Sequence, residues 1–200
     1  ANWKTQFMLD VKDTTGTVTG GGWHDENAIV TLVANQNVER EEVGGRRIKS
    51  LFQSWSGSAS GEELRITISV DAPKQISANW EEEFYLKINS EIGRTSGEGW
   101  YKSGETAVFS ARSTPGVLIR EVVETWTGDI QTQSASGTII MDGPKVITAT
   151  WRTDYTPLFL VVGLIIAAGV VPAFLLRGRK KIPAETVSPK KSRKSKAKKK

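Results

Sequence analysis

Seven tryptophans fall into one repeating register, and that register decides how the first 151 residues can be divided. Trp3, Trp80 and Trp151 close the strings Ala1-Asn2-Trp3, Ala78-Asn79-Trp80 and Ala149-Thr150-Trp151. Trp23 and Trp100 each follow a glycine, and Trp55 and Trp126 each precede Ser-Gly or Thr-Gly. The interval from Trp3 to Trp23 is 20 residues and recurs from Trp80 to Trp100; the interval from Trp55 to Trp80 is 25 and recurs from Trp126 to Trp151. Only the middle interval changes, from 32 to 26. A length change confined to one interval belongs in a loop, because loops absorb insertions at little thermodynamic cost. The loop lies around residues 39–47 in the first copy and 115–116 in the second. Two tandem units follow, residues 4–80 and 81–151. Residues 1–3 read as the end of a preceding unit, so the chain is expected to begin inside a longer protein.

Within each unit the period is two. Leu64, Ile66, Ile68 and Val70 alternate with Arg65, Thr67 and Ser69, and Ile76, Ala78 and Trp80 alternate with Gln75, Ser77 and Asn79. The second copy does the same at Phe84, Leu86 and Ile88, at Ala107, Phe109 and Ala111, and at Ile147, Ala149 and Trp151. This is the pattern of half-buried antiparallel strands. Asp71-Ala72-Pro73-Lys74 and Asp142-Gly143-Pro144-Lys145 lie at equivalent places. Asp can bond its own backbone and Pro sets φ, so each string is expected to turn one strand into the next as a hairpin.

Together, the opening strand Phe84-Tyr85-Leu86-Lys87-Ile88, the Gly97-to-Tyr101 string with Gly104, Trp126-Thr127-Gly128 and the closing Asp142-to-Trp151 string resemble the divergent internalin-B-type β-repeat. Such repeats occur in tandem on bacterial and archaeal surface proteins. The resemblance covers roughly residues 1–151 and implies spacer, stalk or adhesive roles beside very different domains. The first copy departs from it, with His24 in place of Tyr101 and a longer charged loop.

Residues 158–176, from Leu158 to Leu176, are nineteen in number and carry no charge. A helix needs about 20 apolar residues to cross a bilayer. The 24 residues that follow carry twelve Lys or Arg, beginning with Arg177, Arg179, Lys180 and Lys181, against one Glu. Basic residues beside a span stay in the cytoplasm. The expectation is therefore a single-pass membrane protein with residues 1–157 outside, a linker at 152–157, a transmembrane helix at 158–176 and a disordered cytoplasmic tail at 177–200. Gly163 with Ala167, and Gly169 with Ala173, have the spacing that permits close helix packing, and Pro172 is placed to kink the helix. The tail is expected to be drawn to anionic lipid. Residues 1–157 are net −6, so the chain's pI of 9.4 belongs to the tail and does not argue for nucleic acid.

The fold class expected is mainly β: two tandem small antiparallel β-repeat domains, then the helix and the tail. Cysteine is absent, which excludes disulfides, thiol catalysis and Cys-type zinc sites. His24 is the only histidine, and as a turn residue without convergent partners it makes neither a metal site nor a general base. The acidic runs 39–42, 62–63 and 81–83 lack the alternating spacing of a calcium loop and read as solvated charge. No nucleophile elbow or phosphate loop occurs. No catalytic, cofactor-binding or metal residue is assigned, and no cofactor is expected. Trp55, Trp80, Trp126 and Trp151 are expected in the core, and Trp23 and Trp100 either there or on a binding surface. The repeat signature is Trp3, Trp23, Trp55, Asp71, Pro73, Trp80, Trp100, Trp126, Asp142, Pro144 and Trp151. The function expected is a membrane-anchored stalk presenting an upstream domain outside the cell. The alternatives are an adhesive module for a glycan or an extracellular protein, and the anchor portion of a surface enzyme such as a protease. Oligomeric state is left open.

Overall fold

The computed structural model describes residues 1–177, with side chains to Ala168. Two compact units divide the chain, Ala1–Tyr155 and Thr156–Lys200. In the first unit repeat 1 supplies β1 (Gln6–Lys12), β2 (Gly22–Asp25), β3 (Ala28–Val33), β4 (Asn37–Glu42), β5 (Arg46–Gly57) and β6 (Arg65–Val70). A single long strand, β7 (Lys74–Ser90), ends repeat 1 and begins repeat 2 without a break. Repeat 2 continues through β8 (Thr95–Ser96), β9 (Gly99–Lys102), β10 (Thr106–Ala111), β11 (Arg120–Gly128), β12 (Ser136–Ile140) and β13 (Lys145–Asp154).

One large sheet runs through both repeats, in the order β11-β13-β7-β1-β2, with β5 and β9 also on β7 and β4 on β5. Small sheets of β3-β6 in repeat 1 and β12-β10-β8 in repeat 2 lie outside it. The repeats match pair for pair. Leu9 faces Lys74 and Val11 faces Ile76 in β1·β7, as Leu86 faces Lys145 and Ile88 faces Ile147 in β7·β13. Each has a bulge at the same place, between Phe52 and Ser54 and between Val123 and Thr125. Gly57 and Gly128 both sit at φ 101, where an added Cβ would meet the carbonyl oxygens of Gln75 and Val146 at 2.5 and 2.4 Å, so only glycine fits.

Three expectations need correction here. The repeats are not purely antiparallel, because the first and last strands of each pair in parallel. The Asp-x-Pro-Lys turns do not make hairpins: β6 pairs β3 while β7 pairs β5 and β1, so the turn at 71–74 carries the chain from the small sheet to the large one. The reason is burial. Ile68 and Val70 on β6 and Ile76 and Ala78 on β7 fill one core from opposite sheets, which a flat hairpin could not do. The third correction concerns the expected transmembrane helix, which is not seen. The apolar run lies in α1 (Thr156–Arg177), but among the described residues no helix is long and apolar enough to cross a membrane. Leu158 is half-buried, Gly163 and Ala167 are exposed, and an added Cβ at Gly163 would meet nothing. Gly169, Pro172, Leu176 and Arg177 lie beyond the described side chains. Arg179, Lys180, Lys181 and the rest of the tail expected at 177–200 lie outside the described residues from position 178 on.

Trp55 and Trp126 are the largest fully buried side chains, one in each core. Each satisfies its indole N–H on a backbone carbonyl, Glu63 at 2.8 Å and Ser134 at 3.1 Å, so the ring is buried without an orphaned donor. Trp55→Ala and Trp126→Ala should each lower unfolding stability in urea by about 3–5 kcal/mol. Trp3→Ala should change it by under about 0.5 kcal/mol, the surface norm, since Trp3 is 93% exposed. Equal losses at all three positions would contradict this assignment of the cores.

Candidate interaction surface

The six residues by which repeat 1 exceeds repeat 2 do not form a loop. They extend β4 and β5 into a hairpin, closed by a three-residue connection in which Gly44 and Gly45 take positive φ. Beyond its pairing with the last residues of repeat 1, β5 continues antiparallel along the opening of repeat 2, with Leu51 facing Glu81, Lys49 facing Glu83 and Ile48 facing Phe84. Ile48 is buried in the core of repeat 2 beside Phe84 and Leu86. The hairpin is thus a repeat 1 element packed into repeat 2.

Its charged side chains fix the joint. Arg46 forms an ion pair with Asp129 at 2.9 Å and donates to the Pro144 carbonyl, so it reaches the closing turn of repeat 2. Lys49 pairs with Glu83 at 3.5 Å, Arg40 with Glu82 at 3.5 Å and Arg47 with Glu39 at 2.9 Å. Glu39, Glu81, Glu82 and Glu83 are therefore committed to cross-strand and inter-repeat pairing on strands. Among the described residues no group of His, Cys, Asp or Glu is arranged to hold a metal.

Under the hairpin lies an aromatic pair. Trp100 meets Tyr85 edge to face with centroids 5.1 Å apart. The Lys49 ammonium stands 4.1 Å from the Trp100 centroid, and the Arg47 guanidinium lies 5.0 Å from Trp100 and 4.9 Å from Tyr85. Each such contact contributes about 0.5–1 kcal/mol when exposed and about 2 when desolvated. Tyr85 donates its hydroxyl to Glu98 at 2.8 Å; that bond, with burial and the Glu98 charge, pushes the phenol pKa up despite Arg47.

The other signature residues have structural partners. Trp80 and Trp151 are half-buried and donate to Asp13 and Ser90, both at 3.0 Å, from equivalent positions. Asp71 and Asp142 pair with Lys74 and Lys145 three residues on, which lowers both carboxyl pKa values. Pro73 is exposed in its turn, and Pro144 is half-buried beneath Arg46. His24 is on strand β2, not in a turn, and its Nε2–H donates to the Gly20 carbonyl at 2.9 Å. Tyr101 donates to the equivalent Gly97 carbonyl at 2.7 Å, so the two side chains do one structural task. Trp23, by contrast, is 68% exposed.

The joint carries a pH signature. Burial raises the Asp129 carboxyl pKa, but the hydrogen bonds from Arg46 and the Val146 amide, with the charges of Arg46 and Lys145, outweigh it and hold the group below its ordinary value. A depressed carboxyl contributes stability that is present above the unfolded pKa, near ~3.9, and is lost as pH falls through the folded value. The wild type should therefore lose unfolding midpoint steeply on acidification below about pH 4. Asp129→Asn should begin lower at pH 7 and fall less. Parallel pH profiles for the two proteins would show that Asp129 does not tie the repeats together.

Residues 85–154 match the family model of the divergent InlB B-repeat domain, a span that opens in β7 at Tyr85 and closes at the end of β13. A domain of this type is consistent with a cell-surface module. No curated protein and no solved structure matches the chain.

Proposed function

We propose that this chain is a cell-surface spacer, in which B-repeat-type units hold a neighbouring domain out from the cell, and that it is not itself an enzyme. The observation that supports the reading is the joint. A strand of 17 residues runs through it, about 56 Å at the usual rise per residue, and a hairpin of one repeat is stapled into the core of the other. A linker of flexible chain would let the two repeats swing. A shared sheet with a shared core resists bending, and it lets length grow with copy number. The match of residues 85–154 to the InlB B-repeat model supports placing the module outside the cell.

A second reading, an adhesive module for a glycan or an extracellular protein, is favoured by one observation: Trp23 presents an open indole face to solvent. The two readings part on binding. As a spacer, the 1–155 region should show no saturable binding to glycans or to extracellular proteins. On intact cells an antibody against β4–β5 should label the surface, and external protease should remove the epitope. Labelling only after the cells are opened would contradict the proposal. Saturable glycan binding lost in Trp23→Ala would move the adhesive reading ahead.

A further inference from the structure

We propose that the open end of repeat 1 around Trp23 is a docking face for another unit of the same repeat type, which lays a basic hairpin across it as β4–β5 lies across repeat 2. The inference deepens the spacer reading by supplying its joint, but it is tested in solution, so its failure and a failure of surface display are told apart.

The argument starts from equivalence. Gln6, Phe7, Met8 and Asp10 on β1 and Trp23 and Asp25 on β2 occupy the places of Glu83, Phe84, Tyr85, Lys87, Trp100 and Lys102. Met8 faces Trp23 as Tyr85 faces Trp100. The backbone is the same, yet the burial differs at one position after another. Phe84 is buried and Phe7 only half so; Tyr85 and Trp100 are half-buried where Met8 and Trp23 are exposed; Glu83 and Lys87 are half-buried where Gln6 and Asp10 are exposed. What covers the repeat 2 set is the hairpin, with Ile48 against Phe84, Lys49 and Arg47 over Trp100, and Gly45 beside Lys87. Nothing among the described residues does this for repeat 1. The strand edge is open too: β7 pairs β1 only from Leu9 onward, whereas β5 continues along β7 as far as Phe84.

Trp3 fits the same account. Its counterpart Trp80 is half-buried against Phe52 at 5.5 Å, a β5 residue, and Trp3 has no β5 to meet. Charge favours a cationic visitor. Asp10 and Asp25 lie on the same sheet face as Trp23, and an exposed indole beside carboxylates attracts Lys or Arg. Lys4 pairs with Asp25 at 3.6 Å, as Glu81 pairs with Lys102 at 2.8 Å with signs reversed, so the cross-strand tie at the edge is retained. A hairpin with apolar, Arg and Lys residues at the places of Ile48, Arg47 and Lys49 would close the core at Phe7 and cap Trp23.

The test is a chain extended by a second copy of residues 4–77 placed before Ala1, so that Ala1-Asn2-Trp3 completes the added unit as Ala78-Asn79-Trp80 completes repeat 1. The added unit carries Trp23→Phe, which leaves one Trp23 to follow by hydroxyl-radical oxidation and mass spectrometry. Oxidation of Trp3 and Trp23 should fall severalfold relative to the original chain, Trp23 to the rate of Trp100. Arg47→Glu with Lys49→Glu in the added unit should restore Trp23 oxidation and leave Trp3 protected. Undiminished oxidation of Trp23 with Trp3 protected overturns the proposal and leaves the face to a ligand of another kind. The chain has no cysteine of its own, so a second variant removes dependence on the stability of the added unit. Lys4→Cys with Leu51→Cys in the added unit, the counterparts of the facing pair Glu81 and Leu51 in the joint, fixes the hairpin in register through a disulfide. A Trp23 that stays fully reactive in the disulfide-linked form overturns the proposal as well.

Discussion

The pairing of β5 with β7 across the boundary between repeats is the contact on which the rest of the first unit depends. Each repeat is small and has no disulfide, and a domain of this size buries too little apolar surface to be stable by a wide margin. Repeat 2 adds to its core by borrowing Ile48 from the hairpin of repeat 1. Repeat 1 depends on β7 in turn, because Ile76 and Ala78 complete a core that Leu9, Leu32 and Trp55 begin. One strand therefore serves two cores. It cannot leave one without opening the other.

The polar contacts of the joint do a different job. Surface ion pairs across the joint, such as Arg40 with Glu82, contribute little individually. Their effect here is to choose the register in which the hairpin lies down, since a one-residue slip would send Ile48 to solvent and Lys49 into the core. Arg46 differs in reaching Asp129 and Pro144 from a strand of the other repeat, and it fixes how far the hairpin overlaps. Arg47 and Lys49 shield Trp100 and Tyr85, an aromatic pair that would otherwise be left in water. On the equivalent face of repeat 1, where no hairpin lies among the described residues, Met8 and Trp23 are exposed.

Much of this was legible in the sequence, because a core repeats only where its side chains repeat. The spacing of Trp55 and Trp126, and of the alternating residues around them, marked the strands and the pair of units. Two features were hidden for physical reasons. Alternation tells which residues share a face but not which strand lies alongside, so the parallel pairing of β1 with β7 and the crossing at Asp71–Lys74 could not be read from it. The joint was missed because an insertion rich in charge looks like a loop. Its signals were present: Gly44-Gly45 between two charged runs is a hairpin sign, and Ile48 continues the apolar alternation through it. The apolar run after Tyr155 does lie in a helix, but length and composition alone overreached when they made that helix a membrane span.

The central claim is that the two repeats are one cooperative body, made so by β7 and the β4–β5 hairpin. Urea unfolding of residues 1–155, followed by hydrogen exchange at Trp55 and Trp126 together, tests it most directly. The account predicts one transition with coincident midpoints, which separates into two when Arg46, Arg47 and Ile48 are replaced by Ala. Two separate transitions in the unaltered protein would contradict it.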